Sequence, residues 1–207
     1  MKTIQKIFTI LLLATIVSAC GGDDDNNPPQ TNNNEATING TTYQIKSASL
    51  GLDAGPSYNN QFSLIFTDGL INVNALNAPT VETNTTTMGI GLFVDLGSTP
   101  LSTEQAVINN ITTSTYNLSD DTGAINNVVN FTDTYMLNGI QYGEFDDAGV
   151  TSFEVNNLGS GIITIHSFLV DLTARTGSVD CDFSFTDDTG KLVSGNYSGS
   201  LKIHDDR

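Results

Sequence analysis

The 207-residue sequence has no tryptophan, two cysteines, two histidines, and seven Lys and Arg against 23 Asp and Glu. Each scarcity excludes something. With so few cations and a formal charge of −16, the chain cannot neutralise a run of phosphates and release their counterions, the main source of nucleic-acid affinity, so DNA and RNA are not expected partners. Anionic lipid headgroups fail as electrostatic partners for the same reason. His166 and His204 form no pair with each other or with a cysteine at zinc-ligand spacing. Without tryptophan, a strong aromatic platform for sugars is not expected, which leaves Tyr58, in a loop, as a lone stacking candidate. Charged residues make up 14% of the chain, against about 25% in typical soluble domains. Polarity comes instead from Asn, Thr, Ser and Asp, whose side chains compete for nearby backbone groups and disfavour helix interiors. The composition therefore leans towards strands and turns.

Long hydrophobic runs are also missing. Ile7 to Val17 (IFTILLLATIV) falls short of the roughly 18 residues that span a bilayer, and with Lys2 and Lys6 before it this stretch predicts a secretory signal over residues 1–19. Val17-Ser18-Ala19-Cys20 resembles the lipobox of bacterial lipoproteins. That resemblance implies a diacylglycerol on the Cys20 thiol, cleavage just before it and acylation, palmitate included, of the new amine. Two or three buried acyl chains, at about 0.8 kcal/mol per CH₂, hold a protein on a membrane without spanning it. Gly21-Gly22-Asp23-Asp24-Asp25 is similar to the acidic export signal of Bacteroidetes lipoproteins, which implies the outer face of the outer membrane. Residues 20–35 hold almost no apolar side chains and predict a disordered tether. Removing the signal takes Lys2 and Lys6 away and deepens the formal charge from −16 to −18.

The remainder, residues 36–207, is long enough for one domain with a real core. No segment sustains helical periodicity, whereas alternation recurs. Asn39-Gly40, Asp68-Gly69, Asn138-Gly139 and Asp187-Asp188-Thr189-Gly190 lie between alternating segments and predict hairpins. Thr41 to Leu52, Gln61 to Thr67, Leu70 to Leu76, Thr87 to Leu96, Val128 to Leu137, Ile140 to Gly143, Ser152 to Val155, Val179 to Thr186 and Lys191 to Ile203 read as strands. Ile162 to Leu172 is apolar on both faces and predicts a central strand. Thr103 to Asn110 reads as one helical turn at most. The expected fold is all-β, a single antiparallel domain of about ten strands in a two-sheet sandwich, with an up-and-down lipocalin-like barrel as the alternative.

Gly161, Ile163 and Ile165, then Phe183-Ser184-Phe185, Gly190, and Gly195 with Tyr197 form a pattern that resembles the C-terminal part of uncharacterised β-rich surface lipoproteins of the Bacteroidetes. Ala36-Thr37-Ile38-Asn39-Gly40 with Tyr43 is similar to their start. The resemblance implies a fold and an address, and no activity.

The residues that carry chemistry have simple structural readings beside the functional ones. Cys181, between Val179 and Phe183, reads as a buried inert thiol. A Ser-His-Asp or Cys-His arrangement needs one of two histidines, of which His166 reads as a core or sheet-face residue and His204 as a solvated one. Asp120-Asp121, Asp146-Asp147 and Asp187-Asp188 each sit in an Asp-Asp-x-Gly turn. Asp accepts local backbone hydrogen bonds there and Gly supplies positive φ, so turn chemistry explains the pattern. Paired carboxylates could also bind calcium, although the ligand ladder of an EF-hand is missing. Asp180 and Asp182, with Asp171, could act as acid and base in glycoside hydrolysis; outward, solvated carboxylates are the simpler reading. The sequence thus points to an outer-membrane-anchored surface lipoprotein, non-enzymatic and without an assigned cofactor. Its partners would be the membrane, through the lipid, and an extracellular glycan or protein. A glycan-active hydrolase and a carrier of a small apolar ligand are the alternatives.

Overall fold

A computed structural model describes residues 33–54, 60–128, 130–145 and 158–205. The expected signal, lipobox and export residues, Tyr58, the Asp146–Gly149 turn and the Ser152 to Val155 strand lie outside the described residues. Fourteen strands and one helix are found in the described part: β1 (Glu35–Ile38), β2 (Thr41–Gln44), β3 (Ser47–Leu52), β4 (Gln61–Thr67), β5 (Ile71–Val73), β6 (Pro79–Glu82), β7 (Met88–Asp95), α1 (Glu104–Asn110), β8 (Thr115–Asn117), β9 (Gly123–Asn126), β10 (Phe131–Leu137), β11 (Ile140–Phe145), β12 (Leu158–Asp171), β13 (Thr176–Asp187) and β14 (Leu192–Asp205). The all-β reading holds, with more strands than expected, several of only three or four residues and the last three longer than expected.

Three of the four turn signals make hairpins. Asn39 and Gly40 have φ of 47° and 83°, and Asn138 and Gly139 have 51° and 82°. These left-handed pairs are the type I′ geometry whose twist matches the flanking strands, and they join β1 to β2 and β10 to β11. Gly190, at φ 82°, closes the turn between β13 and β14. Asp68-Gly69 does something different. The strands on either side of it do not pair: β4 lies between β3 and β7, whereas β5 pairs with β6 in another sheet. Asp68 instead uses its carboxylate to accept from Thr87 N, Thr87 Oγ1 and Met88 N, and so anchors the crossing between sheets.

The first sheet has the order β8-β12-β13-β14-β3-β4-β7-β9, with β1 and β2 attached beside β14. The second has the order β10-β11-β6-β5. The first sheet is curled, and ring distances prove it. Phe66 on β4 and Phe183 on β13 are three strands apart, about 14 Å on a flat sheet, yet their ring centroids are 5.3 Å apart. Phe62 on β4 meets Tyr116 on β8, five strands away, edge-on at 5.7 Å. Backbone hydrogen bonds complete the curl, because Leu118 N donates to Gly161 O of β12 and the next residue, Ser119 N, donates to Phe93 O of β7. The interior is filled by Phe62, Phe66, Phe183, Phe185, Leu50 and Leu92, all buried. The Val107 side chain of α1 joins the same core, with Thr103 Oγ1 capping the helix by accepting from Ala106 N.

One pair departs from the antiparallel expectation. The C-terminal half of β14 runs parallel to β3, Leu201 opposite Ala48 and Ile203 opposite Leu50, while its N-terminal half pairs with β1. A long strand thus holds the first and last parts of the domain together. The chain before β1 is drawn in as well. Asn34, the penultimate residue of the expected tether, takes a hydrogen bond from Ser198 N, and its own N–H donates to Asn196 Oδ1.

Strand β12 corrects a second expectation. It is not covered on both faces: Ile162 and Leu169 are exposed, at 46% and 72%, and only the three-residue β8 lies outside it. The apparent two-faced pattern comes from a bulge. Ile165 pairs with Cys181 and Ser167 with Asp180, so His166 is an extra residue on β12 and both His166 and Ser167 point outward. An inserted residue moves the apolar face by one position. Ile163 and Ile165 face the core before it, and Phe168 and Val170 after it. The strands buried on both faces are β3 and β4, whose Ser49 and Ser63 are fully buried on the face away from Leu50, Leu52 and Leu64.

Candidate functional site

The outward side of β8, β12, β13, β14, β1 and β2 is a broad, largely polar face, interrupted by the exposed Ile162, Leu169 and Leu192. Register places Asn117, Ile162, Ser184, Ser194, Thr37 and Thr42 in one row across six strands. A second row holds Thr115, Thr164, Asp182 and Asn196. Short hydroxyl, amide and carboxylate side chains dominate, and neighbours bond along the rows: Thr37 Oγ1 to Thr42 Oγ1 at 3.1 Å and Thr115 Oγ1 to Thr164 Oγ1 at 2.9 Å.

The bulge sets His166 on this face. Its Nε2 lies 2.7 Å from Asp182 Oδ2, with both side chains more than a third exposed. Asp182 was expected to point outward, and it does; that it would meet His166 was not visible, because the two come together only through the extra residue in β12. Asp180 lies on the same face, opposite Ser167 and Ser198. His166 and Asp182 stand in the order of a base and its orienting carboxylate, and what they offer as placed is a water-accessible polar pair.

Cys181 is where its alternation put it, fully buried on the core side of β13. Burial, and after it the carboxylates of Asp182 and Asp180, pushes the thiol up to about 12. The reactive form is the thiolate, so this cysteine is held in its unreactive form. His204 departs from expectation. It lies within β14 opposite Gly51 and is fully buried, because the strand continues past Ile203 to pair with β3.

The carboxylates singled out for calcium are separated by what they do. Asp187 is buried, and its Oδ1 accepts from Thr189 N, Thr189 Oγ1 and Lys191 N at 3.0, 2.7 and 2.7 Å. The oxygen is thereby consumed by its own turn. Burial opposes ionisation, yet the bonds from Thr189 and Lys191 outweigh it and hold the carboxyl below its ordinary value. Asp188 is exposed at the same turn, and Asp120 and Asp121 are exposed in the turn closed by Thr122 N donating to Ser119 O. Asp146 and Asp147 lie outside the described residues. Among the described residues no three His, Cys, Asp or Glu side chains are grouped to hold a metal ion, and no helix is long and apolar enough to cross a membrane.

No protein-family model matches the chain, and no curated protein or solved structure matches it.

Proposed function

We propose that this is a lipid-anchored surface protein of the outer membrane, attached through Cys20, whose domain works as a non-enzymatic binding or structural module for an extracellular glycan or protein. The observation that carries the module reading is the broad polar face of β8, β12, β13, β14, β1 and β2. A broad face rich in hydroxyl and amide groups suits adhesion to a hydrated polymer through many weak hydrogen bonds, each contributing about 1 kcal/mol. Two further observations favour binding over turnover. The Cys181 thiol is removed from chemistry by burial, and the His166–Asp182 pair stands on open sheet rather than in an enclosing cleft. The aromatic packing inside the curled sheet favours ligands on the outside over a small apolar ligand within.

The anchor rests on Val17-Ser18-Ala19-Cys20 and the acidic residues after it. Labelled palmitate incorporated by the wild type and lost on Cys20→Ala is the expected result; incorporation that persists in the variant defeats the anchor. For the module, an array of extracellular polysaccharides incubated with the protein is expected to retain it without release of products. Released oligosaccharides would replace this reading with that of a hydrolase.

A further inference from the structure

We propose that the cleft between the two sheets binds an oxyanion, the carboxylate or sulfate of a small acidic ligand. The cleft, of about 250 Å³, opens where β5 and β11 of the second sheet meet β14 and the start of β3. Its lining includes Lys46 and Lys202 and no carboxylate. That is unusual in a chain where acids outnumber cations by 23 to 7. The other two described cations each have a carboxylate: Arg175 binds Glu104 at 2.8 Å, and Lys191 lies 4.0 Å from Asp187. Lys46 and Lys202 form no salt bridge among the described residues, and both border the same cleft.

Lys202 is also held in place. Thr80 Oγ1 donates to Asn72 O, so Tyr135 must donate to Thr80 Oγ1, at 2.8 Å. The Tyr135 oxygen then accepts from Asn72 Nδ2 at 2.9 Å. This order fixes the Asn72 amide with Oδ1 towards Lys202 Nζ, 3.3 Å away. The ammonium is oriented by a neutral acceptor, which leaves its charge uncompensated. On the other wall, Ser47 Oγ accepts from Ile71 N and donates to Gly69 O, so its hydroxyl ties the sheets together. Tyr142 borders the cleft as well. Burial, followed by Glu82 and Tyr135, holds it above the ordinary tyrosine value, so it keeps its proton and can donate.

Two lysines and a tyrosine in a lining that also includes Ala48, Ile71 and Leu201 match an oxyanion, because charge-assisted hydrogen bonds strengthen against apolar surface. The volume lies below the roughly 300 Å³ at which pockets for drug-sized molecules begin, so one small group fits. The negative charge of the rest of the chain is screened beyond about 8 Å at physiological salt; closer in, the Glu82 carboxylate bears on Tyr142, and the two lysines of the lining outnumber it.

The test uses the lipid-anchored protein, from Cys20 onward, in detergent with ¹⁵N-labelled lysine, which gives three backbone probes, Lys46, Lys191 and Lys202. Sodium glucuronate, sodium sulfate and glucose are titrated at matched sodium chloride. The expected result is a saturable shift of Lys46 and Lys202 with Lys191 unmoved and glucose inert. Lys46→Gln and Lys202→Gln, both at exposed positions, are each expected to weaken binding at least about tenfold. Asn72→Asp, which gives Lys202 a carboxylate partner, is expected to abolish it. A response to both salts assigns the site to free oxyanions, and a response to glucuronate alone assigns it to a sugar acid. An equal response to glucose, a matching shift at Lys191, silence with both salts, or undiminished binding in the Lys→Gln variants overturns the proposal.

Discussion

Gly195→Ala tests how tightly β1, β13 and β14 are fitted together. Gly195 lies on β14, with Phe183 of β13 on one side and Ala36 of β1 on the other. A Cβ there would come within 2.5 Å of Glu35 O, 2.6 Å of Phe183 Cζ and 3.0 Å of Ala36 Cα. The phenyl ring can turn aside, but the Glu35 carbonyl belongs to a strand held by its own ladder to β2 and β14. Relieving that contact requires β1 to move outward by several tenths of an ångström. Overpacking of this kind costs about 1 to 3 kcal/mol, and the backbone contact argues for the upper part of that range. The reduced freedom of alanine in the unfolded chain returns about 0.4 to 1 kcal/mol. The net expectation is a loss of about 2 kcal/mol, or a Tm lower by about 4 to 8 °C for a domain of this size. Calorimetry or urea unfolding of wild type and variant measures it. A double-mutant cycle with Phe183→Leu should show coupling of at least about 0.5 kcal/mol while leaving part of the loss in place. A Tm that is unchanged or raised would refute the reasoning, since it would mean that the strands have room at this position.

Three further outcomes are expected. In Cys20→Ala, the Cys181 thiol should resist a thiol reagent at pH 8 in the folded protein and react in denaturant, because burial holds it near 12; fast labelling under native conditions would contradict this. The Asp187 carboxyl is held below its ordinary value when folded, so its stabilisation is present above the unfolded pKa of about 4 and is lost as pH falls through the folded one. The Tm of the wild type should therefore drop more steeply on acidification than that of Asp187→Asn, and parallel curves would remove Asp187 from the explanation. Arg175 Nη1 donates to both oxygens of Glu104, at 2.9 and 2.8 Å, with the two side chains about a third and a quarter exposed. Glu104→Gln should cost about 0.5 to 1 kcal/mol by chemical denaturation, with a smaller difference at high salt.

Much of the fold was legible because it depends on local chemistry. Asn-Gly pairs at positions 39–40 and 138–139 encode type I′ turns in their own φ preferences, and the strict alternation of Val179, Cys181, Phe183 and Phe185 placed one face of β13 in the core. Legibility ended where a distant part of the chain decides. Asp68-Gly69 looks like a hairpin turn in sequence, yet the neighbours of β4 are β3 and β7, and the turn leads to the second sheet. His204 sits in a polar tail in sequence, yet it is buried because β3, more than 150 residues earlier, pairs with the end of β14. The cleft lysines carry no signal at all: Lys46 and Lys202 border one cavity only because β3 and β14 run side by side and parallel.

By itself the sequence determined the fold class, the twisted hairpins, the inward Cys181 and the shortage of cations, since each follows from side-chain type or from spacing over a few residues. The tertiary structure decided the curl of the first sheet, the bulge that turns His166 onto the polar face beside Asp182, and the meeting of two lysines away from carboxylates. These depend on register between strands far apart in the chain. Register is set by the packing of whole faces, so an extra residue in β12 changes which side chains meet while leaving the local pattern nearly the same.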